Sequence, residues 1–129
     1  MNGNKGKYKS ALLNNTKWRE IISILAKHLK YPIEVAYIDK EKYTIGFIPA
    51  EEKLMEGYIV DPGFLTGPTP YEYLYAVRIP HINEYSGEIE GLKSISKDVS
   101  DNLLRDLESL GQLPIEITDQ YITIKGYSN

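Results

Sequence analysis

The sequence predicts an α+β domain: a single, mostly antiparallel sheet carrying two helices on one face. Two observations lead there. One amphipathic stretch at helical spacing lies near each end of the chain, and between and after them run short alternating segments joined by turn formers. The order is helix, several mostly hairpin-linked strands, helix, hairpin. A doubly wound parallel sheet would need strands and helices in regular alternation, which is absent.

Residues 1–9 are polar, basic and glycine-containing, and they are expected to form a flexible tail ahead of one domain over 10–129. Trp18, Ile21, Ile22, Leu25 and Leu29 then fall on one face of a helix, with Asn15 or Thr16 placed to cap it. Pro32 closes that helix by pushing Tyr31 toward extended geometry. From Ile33 the period becomes two. Ile33, Val35 and Tyr37 alternate with Glu34 and Ala36, and a turn at 39–42 leads into a second β-rich run over 43–48. Residues 49–56 are polar and acidic and read as a loop or short helix before a brief strand at 58–60. Turn formers at Asp61-Pro-Gly63 and Gly67-Pro-Thr-Pro70 mark 61–70 as a surface loop. Tyr71, Tyr73, Tyr75, Val77 and Ile79 then alternate over nine residues, the clearest strand pattern in the chain, until Pro80. After an irregular segment through Gly91, the residues Val99, Leu103, Leu107 and Leu110 define the second helix. Asp98 or Ser100 are its candidate caps, and Gly111 with Pro114 its stop. Ile115–Ile117 and 121–124 close the chain as a hairpin around 118–120.

Composition narrows the function. A chain of 129 residues with 42% hydrophobic and 26% charged residues holds one core and buries roughly two-thirds of its unfolded surface. It has no cysteine, which excludes disulfides, thiolate zinc sites, iron-sulfur clusters and cysteine nucleophiles. No apolar stretch approaches the roughly 18 residues of a membrane span, and the first residues lack a secretion signal, so a cytoplasmic location is expected.

The net charge of -3 conceals an uneven distribution. Lys5, Lys7, Lys9, Lys17, Arg19, Lys27 and Lys30 face only Glu20 in the first thirty residues, whereas acids outnumber bases from there on. Over 43–92, Lys53 and Arg78 stand against Glu51, Glu52, Glu56, Asp61, Glu72, Glu84, Glu88 and Glu90. Such a surface keeps a protein soluble, and it also repels nucleic acid and attracts basic proteins. Nucleic-acid binding is not expected, since only the basic start could touch phosphate.

No catalytic motif accompanies these charges. His28 lies near the edge of the first helix's apolar stripe and reads as a packing residue. His81 follows Pro80 beside acids and tyrosines, where a general base could sit with Glu84 or Glu88. It has no Ser-His-Asp order, His-x-x-x-His pair or metal-ligand cluster around it. The carboxylate pairs Glu51/Glu52 and Glu88/Glu90 fit a guarded surface better than a hydrolytic pair. Gly63 and Gly67 lack the following Gly-Lys-Ser/Thr of a phosphate loop. Eleven tyrosines are many for this length. They pack a broad sheet face, or they supply amphipathic anchors of the kind enriched at protein interfaces.

Three segments carry a resemblance: Asn15-Thr-Lys-Trp-Arg-Glu20, the Gly67-Pro-Thr-Pro run into Ile79, and the ending from Leu113-Pro-Ile to Lys125-Gly-Tyr127. Together they resemble a small bacterial domain family of uncharacterised function whose members open on an Asn-Thr-Lys-Trp helix. Trp18, Gly67, Pro68 and Gly126 are the matched positions, read as a core indole, a turn and a backbone bend. The aromatic strand departs from the pattern, with tyrosine where the family suggests tryptophan. The resemblance implies no catalytic residue. By analogy, a small, acidic, cysteine-free domain is similar to the immunity proteins of bacterial toxin systems.

The sequence therefore leads to a cytoplasmic binding protein that blocks the active site of a cognate, basic toxin domain, with a nuclease as one possible target. Its expected contact residues are Glu51, Glu52, Glu56, Asp61, Tyr71, Glu72, Tyr73, Glu84, Tyr85, Glu88 and Glu90, acids for steering and salt bridges and tyrosines as anchors. No cofactor or metal is expected. The alternatives are a small hydrolase or nucleotide-modifying enzyme built on His81, and a regulatory module that self-associates through its tyrosine face.

Overall fold

The computed structural model describes residues 10–30, 32–38, 40, 42–60, 68–81 and 94–128. Helix α1 (Asn15–His28) starts one residue earlier than its capping pattern suggests. Asn14 is the cap, and its side chain accepts from Lys17 N–H at 2.7 Å. Its apolar stripe is buried as expected, through Trp18, Ile21, Ile22 and Leu25, and Ile24 joins it. Helix α2 (Lys97–Glu108) is capped by Ser96 rather than by Asp98 or Ser100. Gly111, at φ +101°, terminates the chain's turn beyond α2 in a backbone conformation that glycine adopts without strain.

The strands β2 (Ile33–Tyr37), β3 (Thr44–Gly46), β6 (Leu74–Pro80), β7 (Ile115–Ile117) and β8 (Tyr121–Lys125) form one sheet in the order β3-β2-β6-β8-β7. Every neighbouring pair in it is antiparallel. Two short ribbons flank it. In one, β1 (Ser10–Ala11) pairs with β9 (Tyr127–Ser128), and in the other β4 (Tyr58–Ile59) pairs with β5 (Thr69–Pro70). The α+β class and its antiparallel sheet are as the sequence predicts.

Alternation decides what each face of the sheet holds. The register Val35↔Val77, Val77↔Ile124 and Ile79↔Ile122 puts Val35, Val77, Ile79, Ile122 and Ile124 on one face. They share a single core with Trp18, Ile21, Ile22 and Leu25 of α1 and Leu103 and Leu107 of α2. Both helices therefore cover the same face. The opposite face carries Glu34, Ala36, Ala76, Arg78 and Thr123. Two contacts tie α1 to α2 and to the turn that follows it: His28 Nε2 lies 2.6 Å from Asp106 Oδ2, and Lys17 Nζ donates to Leu110 O at 2.8 Å.

The aromatic run is the main departure from expectation. Tyr71–Tyr73 is a 3-10 turn, and the strand begins only at Leu74. The pairing shifts between Ala36 and Tyr37, so that Tyr37 faces Leu74 and Ala36 faces Ala76, leaving Tyr75 as the extra residue of a bulge. A period of two cannot run from Tyr71 to Ile79 through a turn and a bulge.

Candidate functional site

The acids expected at a partner surface are partly gathered by α1. The 3-10 turn Glu51–Lys53 packs against α1 and leaves Glu51 and Glu52 exposed. Glu51 Oε1 accepts from Ser23 Oγ of that helix. The chain then tucks in Leu54, which bridges to Ile59, and Met55 N–H donates to Tyr58 O at 2.9 Å. This tight reversal holds Glu56 at the surface with the exposed Tyr58. Glu56 and Gly57 line a shallow cleft of about 570 Å³ with Asn15, Thr16 and Arg19. Glu72 lines a second cleft, of about 400 Å³, with Ser10, Ala11, Leu13, Asn14, Asn15 and Tyr127. Asn15 belongs to both. Glu56 and Glu72 thus flank the first turn of α1, which has no acid of its own and carries the positive end of the helix dipole.

The tyrosines named with these acids take other places. Tyr71 is fully buried, and its hydroxyl donates to Met55 O at 2.8 Å, so it is a core residue rather than a surface anchor. Burial raises its pKa above the ordinary value, offset in part by the positive charge of Arg19. Tyr73 is half-buried, with its ring 6.1 Å from that of Tyr37. Its backbone carbonyl accepts from Ile38 N–H at 3.0 Å. Of the remaining expected contacts, Asp61, Glu84, Tyr85, Glu88 and Glu90 lie outside the described residues.

His81 is 1% exposed and both ring nitrogens are engaged. Nε2 lies 2.8 Å from Thr118 O, which can only accept, so Nε2 carries a proton. Nδ1 is 3.1 Å from Ser100 Oγ. With the backbone bond from its N–H to Gln120 O at 2.9 Å, the residue ties the end of β6 to α2 and to the β7–β8 turn. Neither nitrogen faces solvent, as a general base toward an outside substrate would require. Its proposed partners Glu84 and Glu88 are among the undescribed residues. His28 is the helix-helix contact described above.

The sequence did not single out the cluster on the helix-free face. Glu34 and Arg78 sit opposite each other across β2 and β6. Arg78 donates through Nε at 2.9 Å and Nη2 at 2.7 Å, both to Glu34 Oε1. Its guanidinium is stacked between the Tyr43 and Tyr121 rings, 3.8 Å and 4.2 Å from their centroids. Glu34 is fully buried beneath, and its Oε2 has no hydrogen-bond partner among the described residues. Burial raises the Tyr43 pKa. Arg78 opposes that rise, while Tyr75, Glu34 and Glu116 add to it. Next to the cluster, Lys125 Nζ and Glu116 Oε2 pair at 3.0 Å. Tyrosine and arginine are the residue types that anchor protein interfaces. The signal was present in sequence only as Glu34 and Arg78 at polar positions of alternating strands; their pairing depends on a register that no local pattern reveals.

Among the described residues no group of three or more His, Asp or Glu side chains could hold a metal ion. No described helix is long and apolar enough to cross a membrane. Comparison with protein-family models, with curated proteins and with solved structures found no match to this chain.

Proposed function

We propose that the chain is a cytoplasmic immunity-type protein that neutralises a cognate basic toxin domain by capping its active site. The observation that carries this reading is the placement of Glu51, Glu52 and Glu56. All three stand exposed on one stretch that packs against α1, where Glu51 accepts from Ser23 and Glu56 lines a cleft with Asn15, Thr16 and Arg19, and the exposed Tyr58 lies beside them. Side chains of this kind steer a positively charged partner into contact and then pair with its lysines and arginines. Glu72 extends the acidic surface to the other side of the same helix turn. Tyr58 takes the anchoring role that the buried Tyr71 cannot fill.

The catalytic alternative loses its support on His81, whose nitrogens are both spent inside the fold. The test takes as partner any basic toxin domain captured by the tagged chain from its host's lysate at low salt and released at high salt. Coexpression is expected to restore growth to cells producing the toxin, and association of the purified pair should slow as salt rises. Reversing Glu51, Glu52 and Glu56 together to lysine should lower the on-rate by about tenfold or more while changing dissociation less. Protection that fails, or an on-rate indifferent to both salt and charge reversal, overturns the reading.

A further inference from the structure

Arg78 spends only part of its guanidinium inside the protein. Nε and Nη2 both donate to Glu34 Oε1, at 2.9 Å and 2.7 Å, and the Tyr43 and Tyr121 rings contact the group at 3.8 Å and 4.2 Å. Nη1 makes no hydrogen bond among the described residues, and it is not shut off from solvent, the side chain being 29% exposed. A guanidinium carries its N–H groups in a fixed fork, so the edge formed by Nη1 and the outer N–H of Nη2 remains for an acceptor. The register places further donors beside it. Arg78 lies opposite Thr123, and the two share the helix-free face of the sheet. The Thr123 and Tyr43 hydroxyls also make no hydrogen bond among the described residues, and both reach solvent. Burial raises the Tyr43 pKa, so its hydroxyl keeps the proton it would donate at neutral pH.

We propose that Arg78, with the Thr123 and Tyr43 hydroxyls, forms a binding site for a carboxylate. Charge selects a monoanion. Glu34 already occupies one edge of the guanidinium, and Lys125 on the same face is paired with Glu116 at 3.0 Å, so the acids and bases around the site balance. A second negative charge, as on phosphate, would meet Glu34 with no further cation to offset it. The Tyr43 and Tyr121 rings offer apolar surface to the carbon body that carries the carboxylate. Glu34 and the two rings engage the guanidinium beforehand, so binding orders little that is not ordered already. A free organic acid and the terminal carboxylate of a partner chain share this chemistry, and titration separates them.

The chain holds three arginines, so Arg19 and Arg105 serve as internal controls. In the full chain carrying isotope-labelled arginine, the side-chain NMR signals are followed at constant ionic strength. The probes are benzoate, N-acetylphenylalanine, which presents the carboxylate of a chain end, and N-acetylphenylalanine amide, which lacks it. The Arg78 signal should shift and saturate with both acids and stay in place with the amide, while the Arg19 and Arg105 signals move little. Tighter binding of N-acetylphenylalanine assigns the site to a chain end, and tighter binding of benzoate to a free acid. Inorganic phosphate should bind about tenfold more weakly than the better acid. Thr123→Val and Tyr43→Phe together should weaken binding by about tenfold, and so should Arg78→Lys, which keeps the charge and loses the fork. Arg78 also supports the fold, so the hydroxyl double variant carries the test if Arg78→Lys does not fold. Equal shifts at all three arginines, a response to the amide, phosphate binding as tight as the acids, or a double variant that binds like the parent each overturns the proposal.

Discussion

Glu34 shows how a single polar residue can be kept inside a sheet. Every residue of β2 is buried, and one of them is a carboxylate. Burying a charge costs several kcal/mol unless it is paired and hydrogen-bonded. Arg78 supplies two charge-assisted bonds to one oxygen, and the Tyr43 and Tyr121 rings both contact its guanidinium. Removing the cation while leaving the acid is therefore the damaging change. Arg78→Ala is expected to destabilise the fold by about 3 kcal/mol, toward the low end for a broken buried pair because the Arg78 side chain is 29% exposed and water can reach the gap. Glu34→Gln in the Arg78→Ala background should recover part of that loss, since it removes the stranded charge. Urea denaturation of the three variants measures both effects, and an Arg78→Ala protein as stable as the parent would show that Arg78 does not compensate the buried acid.

At the level of elements, apolar periodicity revealed whatever depends on one segment alone. The two helices, the β2–β3 and β7–β8 hairpins and the Gly111 stop were legible because each is set by its own apolar stripe or turn residues. The Tyr71–Tyr73 turn was not, because tyrosines at alternate positions look alike whether the backbone is extended or wound as a 3-10 turn. Caps were displaced for a similar reason: Asn14 and Ser96 compete with equally suitable neighbours, and the packing of the first turn chooses among them. Gly126 illustrates a requirement that comes from another element. It was read as a backbone bend, yet what demands glycine, at the junction of β8 and β9, is crowding against β6 and α1. A Cβ there would lie 2.6 Å from Leu74 O, 3.0 Å from Tyr75 O and 3.0 Å from Trp18 Cζ2. Two of these atoms are backbone in β6 and cannot swing aside. Gly126→Ala should cost about 2–3 kcal/mol, as overpacking of a fixed core does. Gly57→Ala is the matched control, since its Cβ would meet only Asn15 Nδ2 at 3.8 Å. Thermal melts of the pair should separate them by several degrees, and equal melting temperatures would remove close packing as the reason for glycine at 126.

Across the whole molecule, the candidate site divides between what sequence distance can and cannot show. The acidic stretch around Glu51, Glu52 and Glu56 was legible as local charge; the Glu34–Arg78 pair spans 44 positions and needed the sheet. The same global packing sets how stability responds to pH. The Tyr43 and Tyr71 pKa values are both raised, in each case chiefly by burial. A tyrosine is neutral when protonated, so a raised folded pKa means that the unfolded chain releases its proton first as pH climbs. Below the ordinary value of 10.0 both states hold the proton and stability is unaffected. Above it the unfolded state is favoured, by at most about 1.4 kcal/mol per pH unit for each such tyrosine, until the folded pKa is passed. Lys97 acts in the same direction: its hydrogen bond to Asp101 raises its pKa, and that contribution is present below 10.5 and lost as pH rises through the folded value. The protein is thus expected to hold its stability from these groups through pH 9 and to lose it above about pH 10. Tyr71→Phe removes the bond to Met55 O and lowers stability at every pH, but it should also make the alkaline decline shallower. Tyr43→Phe should flatten it without that uniform loss, because the Tyr43 contribution rests on its buried ring beside Arg78. Urea midpoints from pH 8 to 11 give both slopes, and a decline unchanged in the two variants would place its origin in groups other than these tyrosines.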